Sequence, residues 1–436
     1  MTQILMDAID RKAAPPINEV KKAEIKQVSE LRLKNNIPVY FINAGTQDLV
    51  KIELIFPAGL WQQQVPLMSA GASAMLHEGT SKYSAKTIAE MVDYYGAFLN
   101  TDITQDYASL EIHSLNKHLS NVLPVIQEIL RDSVFPQKEW DIYIQNKKQS
   151  YIVNNQKVSF VCRKKFAELI FGNTHPYGYN IQEQDYDKLK REDTYNFYKT
   201  SYTAKDAIII VSGKVSDANL QLLDTYFGSI PSSMIETKNP VSESLKDIKG
   251  IGPHLVEMKQ AVQSALRIGR LLFTRSHPDY CGMQVVNTIL GGYFGSRLMA
   301  NIREDKGYTY GIGSGLISFK QAGYFNISTE VGVDVTKGAI KEIYFEMERM
   351  QTEKVSQSEL DLVRNYMLGT FLRSMDGPFA LADRFKAIYF AGLGYDYYDR
   401  FVDTVRSITS QQILDLSNKY LNRSDMTELV VGGFGK

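Results

Sequence analysis

The stretch KKFAELIFG, Lys164 to Gly172, returns as DRFKAIYFAG, which ends 220 positions later at Gly392. Its neighbours return in the same order. FPQKEWD (Phe135 to Asp141) is echoed by VSQSELD (Val355 to Asp361), and AIIIVSG (Ala207 to Gly213) by ELVVGG (Glu428 to Gly433). Three echoes in register at one offset imply an internal duplication, with two copies of about 200 residues each.

Each copy has one layout. An apolar strand opens it, VKIELIFPAG in the first half and SALRIGRLLFT in the second, with the alternation and β-branched residues of a strand. A helix follows, then paired strands that include ASLEIHSL and GYFNISTEV. Amphipathic helices come next, LSNVLPVIQEIL and TKGAIKEIYFEMERM, apolar at three- and four-residue spacing. The expected fold is α+β: two tandem homologous domains, each a mostly antiparallel sheet with helices packed on one face. The boundaries fall at residues 1–228, a polar Ser/Pro/Gly-rich linker at 229–253, and 254–436.

Bulk chemistry removes several classes. Lysine plus arginine equals aspartate plus glutamate at 49 each, so neither nucleic acid nor an anionic membrane is an expected partner. No apolar run reaches the roughly 20 residues of a membrane span. The two cysteines, Cys162 and Cys281, lie in apolar contexts and read as buried thiols, which favours a cytoplasmic location. The amino-terminal residues show no signal-peptide pattern; a removed leader would instead place the chain in the periplasm or another compartment.

The search for chemistry is mostly negative. Of six histidines, none is spaced i, i+3 or i, i+4 from another, so no helical metal pair is present. No G-x-S-x-G elbow occurs, and the glycines of GGYFGS lack the G-K-[ST] of a phosphate loop. One constellation remains, in GGYFGSRLMANIREDKGYTYGIGSG, Gly291 to Gly315. A short helix, a Gly turn and a strand beginning at Tyr308 would set Arg303 near Tyr310. Together they could hold a peptide carbonyl as it gains negative charge. The alternative is that Arg303 pairs with surface acids and Tyr310 packs under the sheet.

Those residues, with the duplication, resemble the insulinase-like (pitrilysin) metallopeptidase family, in the small two-domain branch that includes processing peptidases. The Arg303-to-Tyr310 spacing, the flanking SRL, IRE and GYTYG, the run YGAFLNTDITQDYASL with Asn100 at the substrate-facing position, and HPYG at 175–178 carry the match. Active members bear H-x-x-E-H ahead of a Gly-Thr turn, two His for zinc and a Glu as general base. Anchored on Gly79-Thr80, the resemblance places Ala70, Ser73 and Ala74 at those positions. The window for a third ligand, Gln145 to Tyr151, contains no acid.

The resemblance therefore implies no metal in this chain. It implies a catalytically incomplete subunit of a heterodimeric zinc metalloendopeptidase, inactive alone. A homologous partner with an intact H-x-x-E-H would supply zinc, while Arg303 and Tyr310 complete its site. Asn100, Arg303 and Tyr310 would bind unfolded peptide, and the isolated chain could pair with itself. The other reading is a non-proteolytic scaffold or peptide-binding subunit of a larger complex.

Overall fold

The computed structural model describes residues 25–232 and 250–434. The amino-terminal stretch read for a leader lies, up to residue 24, outside the described residues, as does 233–249 of the expected linker. The first half forms a sheet from β1 (Ser29–Arg32), β2 (Pro38–Asn43), β3 (Leu49–Phe56), β4 (Phe98–Ile103), β5 (Ala108–Leu115) and β6 (Ile208–Gly213), in the order β1-β2-β6-β3-β5-β4. The second half contributes β7 (Gly252–Glu257), β8 (Gln263–Leu272), β9 (Ile312–Ser318), β10 (Gly323–Gly332) and β11 (Thr427–Gly432), in the order β7-β11-β8-β10-β9.

Apart from β1, the two orders are the same. Each sheet holds one parallel pair, β2 with β6 and β7 with β11, and is otherwise antiparallel. The fold is α+β and duplicated. One detail differs from the sequence reading: the apolar strands expected to open each copy are preceded by others, β1 and β2 before β3, and β7 before β8. The reason is visible in β7, GPHLVE, an edge strand that contains Pro and is half-exposed along its length. Such a strand needs no apolar run, so periodicity does not announce it.

Each half packs its own amphipathic helices on one face of its sheet. Val122, Leu123, Ile126 and Ile129 are buried on helix Leu119–Asp132, and Ala339, Ile343, Met347 and Met350 on helix Thr336–Thr352. The opposite faces are partly covered by an exchange. Helix Val158–Phe171 of the first half lies on β8 and β11, and helix Gly377–Tyr389 of the second lies on β2 and β6. These crossover helices are the repeated KKFAELIFG and DRFKAIYFAG. Asp106 adds a clamp between the halves: it accepts from the Tyr177 hydroxyl of the HPYG motif and, at 2.9 Å, from the Lys320 backbone N–H in the β9–β10 turn. Among the described residues, no helix is long and apolar enough to cross a membrane.

Candidate functional site

Arg303 sits in a π-wound turn, Met299–Asp305, that continues the helical start at Arg297. Wide turns of this kind occur mostly as short inserts and often at functional positions. The helix is pinned from behind. Arg297 grips Glu359 with two bonds of 2.9 Å, and Asn301 donates to Glu346 at 2.7 Å. SRL and IRE thus do different work, since Arg297 anchors the helix and Arg303 faces outward.

The strand expected from Tyr308 begins instead at Ile312. Thr309 occupies the approach, donating to the Glu330 carbonyl at 2.8 Å and accepting from the Gly311 N–H at 3.1 Å. A threonine hydroxyl that binds local backbone competes with ladder formation, which delays the strand. Held in that loop, Tyr310 is 95% exposed and does not pack under the sheet.

Arg303 and Tyr310 do come together. The guanidinium carbon lies 5.8 Å from the centroid of the Tyr310 ring and 4.6 Å from that of Phe294. Two aromatic faces thus hold one cation, an arrangement worth about 0.5–1 kcal/mol per exposed contact. Arg303 has no ion pair among the described residues. Phe294, itself 64% exposed, escaped the sequence reading; its only signal is an aromatic residue in a Gly-rich loop before the motif.

Beside this group is a cavity of about 620 Å³ between the first crossover helix and the second sheet. Ser159 and Cys162 come from the helix, Arg267 from β8, Glu330 from β10, and Tyr308 to Gly311 form one rim. Cys162 is a free, buried thiol whose Sγ meets the Ala265 carbonyl at 3.5 Å. Burial pushes its pKa up to about 12, so it is a packing group and not a nucleophile. Cys281 is likewise free and buried.

The degenerate motif lies on helix Met68–Met75. Ala70 and Ala74 are half-buried methyl groups one turn apart, and Ser73 is buried. The inner face of the helix is packed. A Cβ on Gly71 would meet Thr194 at 3.1 Å and the Trp140 ring at 3.3 Å, and the Tyr202 phenol lies buried beside Ser73. Gly79, at φ +144, carries the Gly-Thr turn. In the third-ligand window, Lys148 turns to Asp187 at 2.8 Å. His77 is half-buried with Nε2 3.8 Å from Glu78, and burial lowers its pKa against the pull of that carboxylate. Among the described residues, no three His, Cys, Asp or Glu side chains are placed to share a metal ion. Two methyls and a hydroxyl do not fit zinc, which takes imidazole, thiolate or carboxylate.

Asn100 is exposed on β4, one edge strand of the first sheet, opposite Glu111 and beside Phe98, which is 67% exposed. No hydrogen bond, ion pair or ring contact joins Asn100 or helix Met68–Met75 to Arg303 or Tyr310 among the described residues.

Comparison with known proteins gives this arrangement a family. Residues 72–175 match the model described as Insulinase (Peptidase family M16), and residues 188–367 match Peptidase M16 inactive domain. The chain belongs to the insulinase-like M16 peptidase family. Arg303 and Tyr310 fall within the second match. Among M16 relatives, the uncharacterized zinc protease YmxG of Bacillus subtilis (strain 168) is 24% identical over 310 residues, 69% of this chain and 73% of that protein. The probable inactive metalloprotease YmfF of the same organism is 22% identical over 417 residues, covering 90% and 96%. The crystal structure of a peptidase M16 inactive domain from Pseudomonas fluorescens shares the fold, with a TM-score of 0.83 at 22% identity over 94% of this chain and 98% of that one. Within this family match, no zinc-ligand set is present among the described residues.

Proposed function

We propose that this protein is the zinc-less subunit of a heterodimeric M16 metalloendopeptidase. The partner, a homologous chain with intact H-x-x-E-H, holds zinc and the general base. This chain places Arg303 and Tyr310 against the scissile region of an unfolded peptide and stabilises the oxyanion as it forms, while Asn100 on the β4 edge binds peptide backbone. The observation that carries the reading is the contrast between two helices. One carries Arg303, whose guanidinium carbon lies 5.8 Å from the ring centroid of Tyr310 on the loop that follows and which has no ion pair among the described residues, while the other carries only Ala70, Ser73 and Ala74 where ligands would stand. The relatives include one named a zinc protease and one named an inactive metalloprotease, the two kinds of chain such a pair requires.

The test is peptide cleavage by each chain alone and by the mixture. Activity is expected only on mixing. Tyr310→Phe should lower turnover of the mixture about 100- to 1000-fold with its zinc content unchanged. Wild-type turnover by that variant refutes the role, and an inert mixture favours a scaffold.

A further inference from the structure

The floor of the cavity beside Tyr310 carries a charge that the catalytic reading leaves unused. Arg267 projects from β8 on the face that the first crossover helix partly covers. It is half-buried and carries a guanidinium with five N–H donors. Among the described residues its guanidinium makes one hydrogen bond, from Nη1 to Asn326 Oδ1 at 3.3 Å, and its carbon lies 5.9 Å from the Phe166 ring centroid. Among the described residues no carboxylate comes within 4.0 Å of it. Several other arginines of the second half pair with acids, Arg270 with Asp425, Arg297 with Glu359, Arg349 with Glu346 and Arg364 with Asp361, whereas Arg303, like Arg267, does not among the described residues.

The surroundings hold this cation in place and leave room in front of it. Asn326 is buried, so its carbonyl oxygen fixes the guanidinium from one side while Phe166 supports it from another. On that face of the sheet, β10 pairs Asn326 with Gly315 and Ser328 with Gly313. The neighbouring edge strand therefore presents no side chains over the cavity. Glu330 stands at the rim, exposed, and too far away to neutralise Arg267 by contact. A half-buried guanidinium with free donors gains most from a planar carboxylate, which takes two parallel N–H bonds.

We propose that Arg267 is a carboxylate subsite of the cavity beside Tyr310, taking an acidic side chain or the C-terminal carboxylate of the bound peptide. The inference rests on reading this face of the chain as peptide-binding, but not on Arg303 and Tyr310 completing a zinc centre. The subsite would make the pair favour one chemical class of peptide, with the determinant in the subunit that holds no metal.

The experiment uses the full chain and one short labelled Ala/Ser peptide in four forms: Glu or Gln at its centre, and a free or amidated C-terminus. Fluorescence anisotropy reads the affinities. At least one carboxylate form should bind about tenfold tighter than its amide counterpart, and the ratio should fall to near unity in Arg267→Gln. The centre and terminus arms identify which carboxylate is taken. Equal affinities across all four forms, an unchanged ratio in Arg267→Gln, or no binding of any form at millimolar peptide each overturns the proposal. Should Arg267→Gln fail to fold, exposed Glu330→Gln reads the same subsite. Removing the neighbouring negative charge should raise the acid-over-amide ratio, and an unchanged ratio is fatal. A wild-type ratio retained in Tyr310→Phe, with no turnover in any mixture, would leave the subsite standing and remove the catalytic reading.

Discussion

The two crossover helices occupy equivalent places and hold them by different physics. Helix Val158–Phe171 meets the second sheet through Cys162, Phe166, Ile170 and Phe171 against Ala265, Leu429 and Val431, with Arg267 over one ring. Helix Gly377–Tyr389 meets the first sheet through Ala382 and Phe385, but also through a chain of charges. Lys386 reaches Glu53 at 2.8 Å, Lys51 reaches Glu111 at 2.7 Å and Asp383 at 3.4 Å, and His113 reaches Glu111 at 2.8 Å. Glu53 is only 3% exposed. The apolar contact draws its stability from buried area and tight packing. The ionic one must offset the desolvation of its members by mutual attraction and has little net stability to spare. The duplicated architecture thus fixes where a helix lies while leaving open what holds it.

The largest expected effect tests the apolar side. Phe166 is 1% exposed, and Phe166→Ala should cost about 3–5 kcal/mol in urea unfolding. A loss below about 1 kcal/mol would mean that the site collapses freely and that this interface does not hold the halves together.

Next comes Lys386→Met, which strands a buried Glu53 carboxylate and should cost about 3 kcal/mol. Adding Glu53→Leu should recover most of that loss, because replacing a buried pair with apolar groups is often neutral. If the double variant stays as weak as the single one, the ionic contact is a true source of stability and the contrast fails.

A smaller effect concerns pH. Burial acts to raise the Glu111 pKa, but the bonds from Lys51 and His113 prevail and hold the carboxyl below its usual range. Its contribution is therefore present above the unfolded value of about 4.3 and is lost as pH falls through the lower folded value. Lys51 and Lys386 are raised: burial opposes their charge, but their acidic partners outweigh it. Their contribution is full below about pH 10.4 and is lost as pH rises through the higher folded values. Cys162, raised by burial to about 12, makes the apolar interface lose stability from about pH 8.5 upward. Unfolding measured against pH should show a shallower acid limb in Glu111→Gln and a smaller loss between about pH 8.5 and 10 in Cys162→Ala. Unchanged limbs in both would contradict the assignment.

The smallest effect is expected at Asp383, whose side chain is 55% exposed. Asp383→Asn should change stability by no more than about 1 kcal/mol, since solvent screens the pair with Lys51. A larger loss would show that the network acts as a unit.

The sequence alone carried the duplication, the α+β class, the amphipathic helices, the buried thiols and the absence of ligand-type residues at Ala70, Ser73 and Ala74. Each of these is a matter of local periodicity or of residue chemistry, which a linear string preserves. It also placed Arg303 seven residues before Tyr310, and the wide helical turn with the Thr309 loop brings the two side chains together. It did not carry the edge strands β1 and β7, nor β2 beside β1, whose partial exposure leaves a weak apolar signal. Nor could it reveal that the repeated helices trade sheets, that Phe294 backs Arg303, or that Arg267 stands without a counter-charge. The exchange of helices depends on which residues meet across more than 100 positions of chain, as when Cys162 reaches Ala265, and the settings of Arg303 and Arg267 depend on where a loop and a neighbouring strand carry their side chains. Pairings of that kind are selected by the packing of two sheets against each other's helices, and no local pattern encodes them.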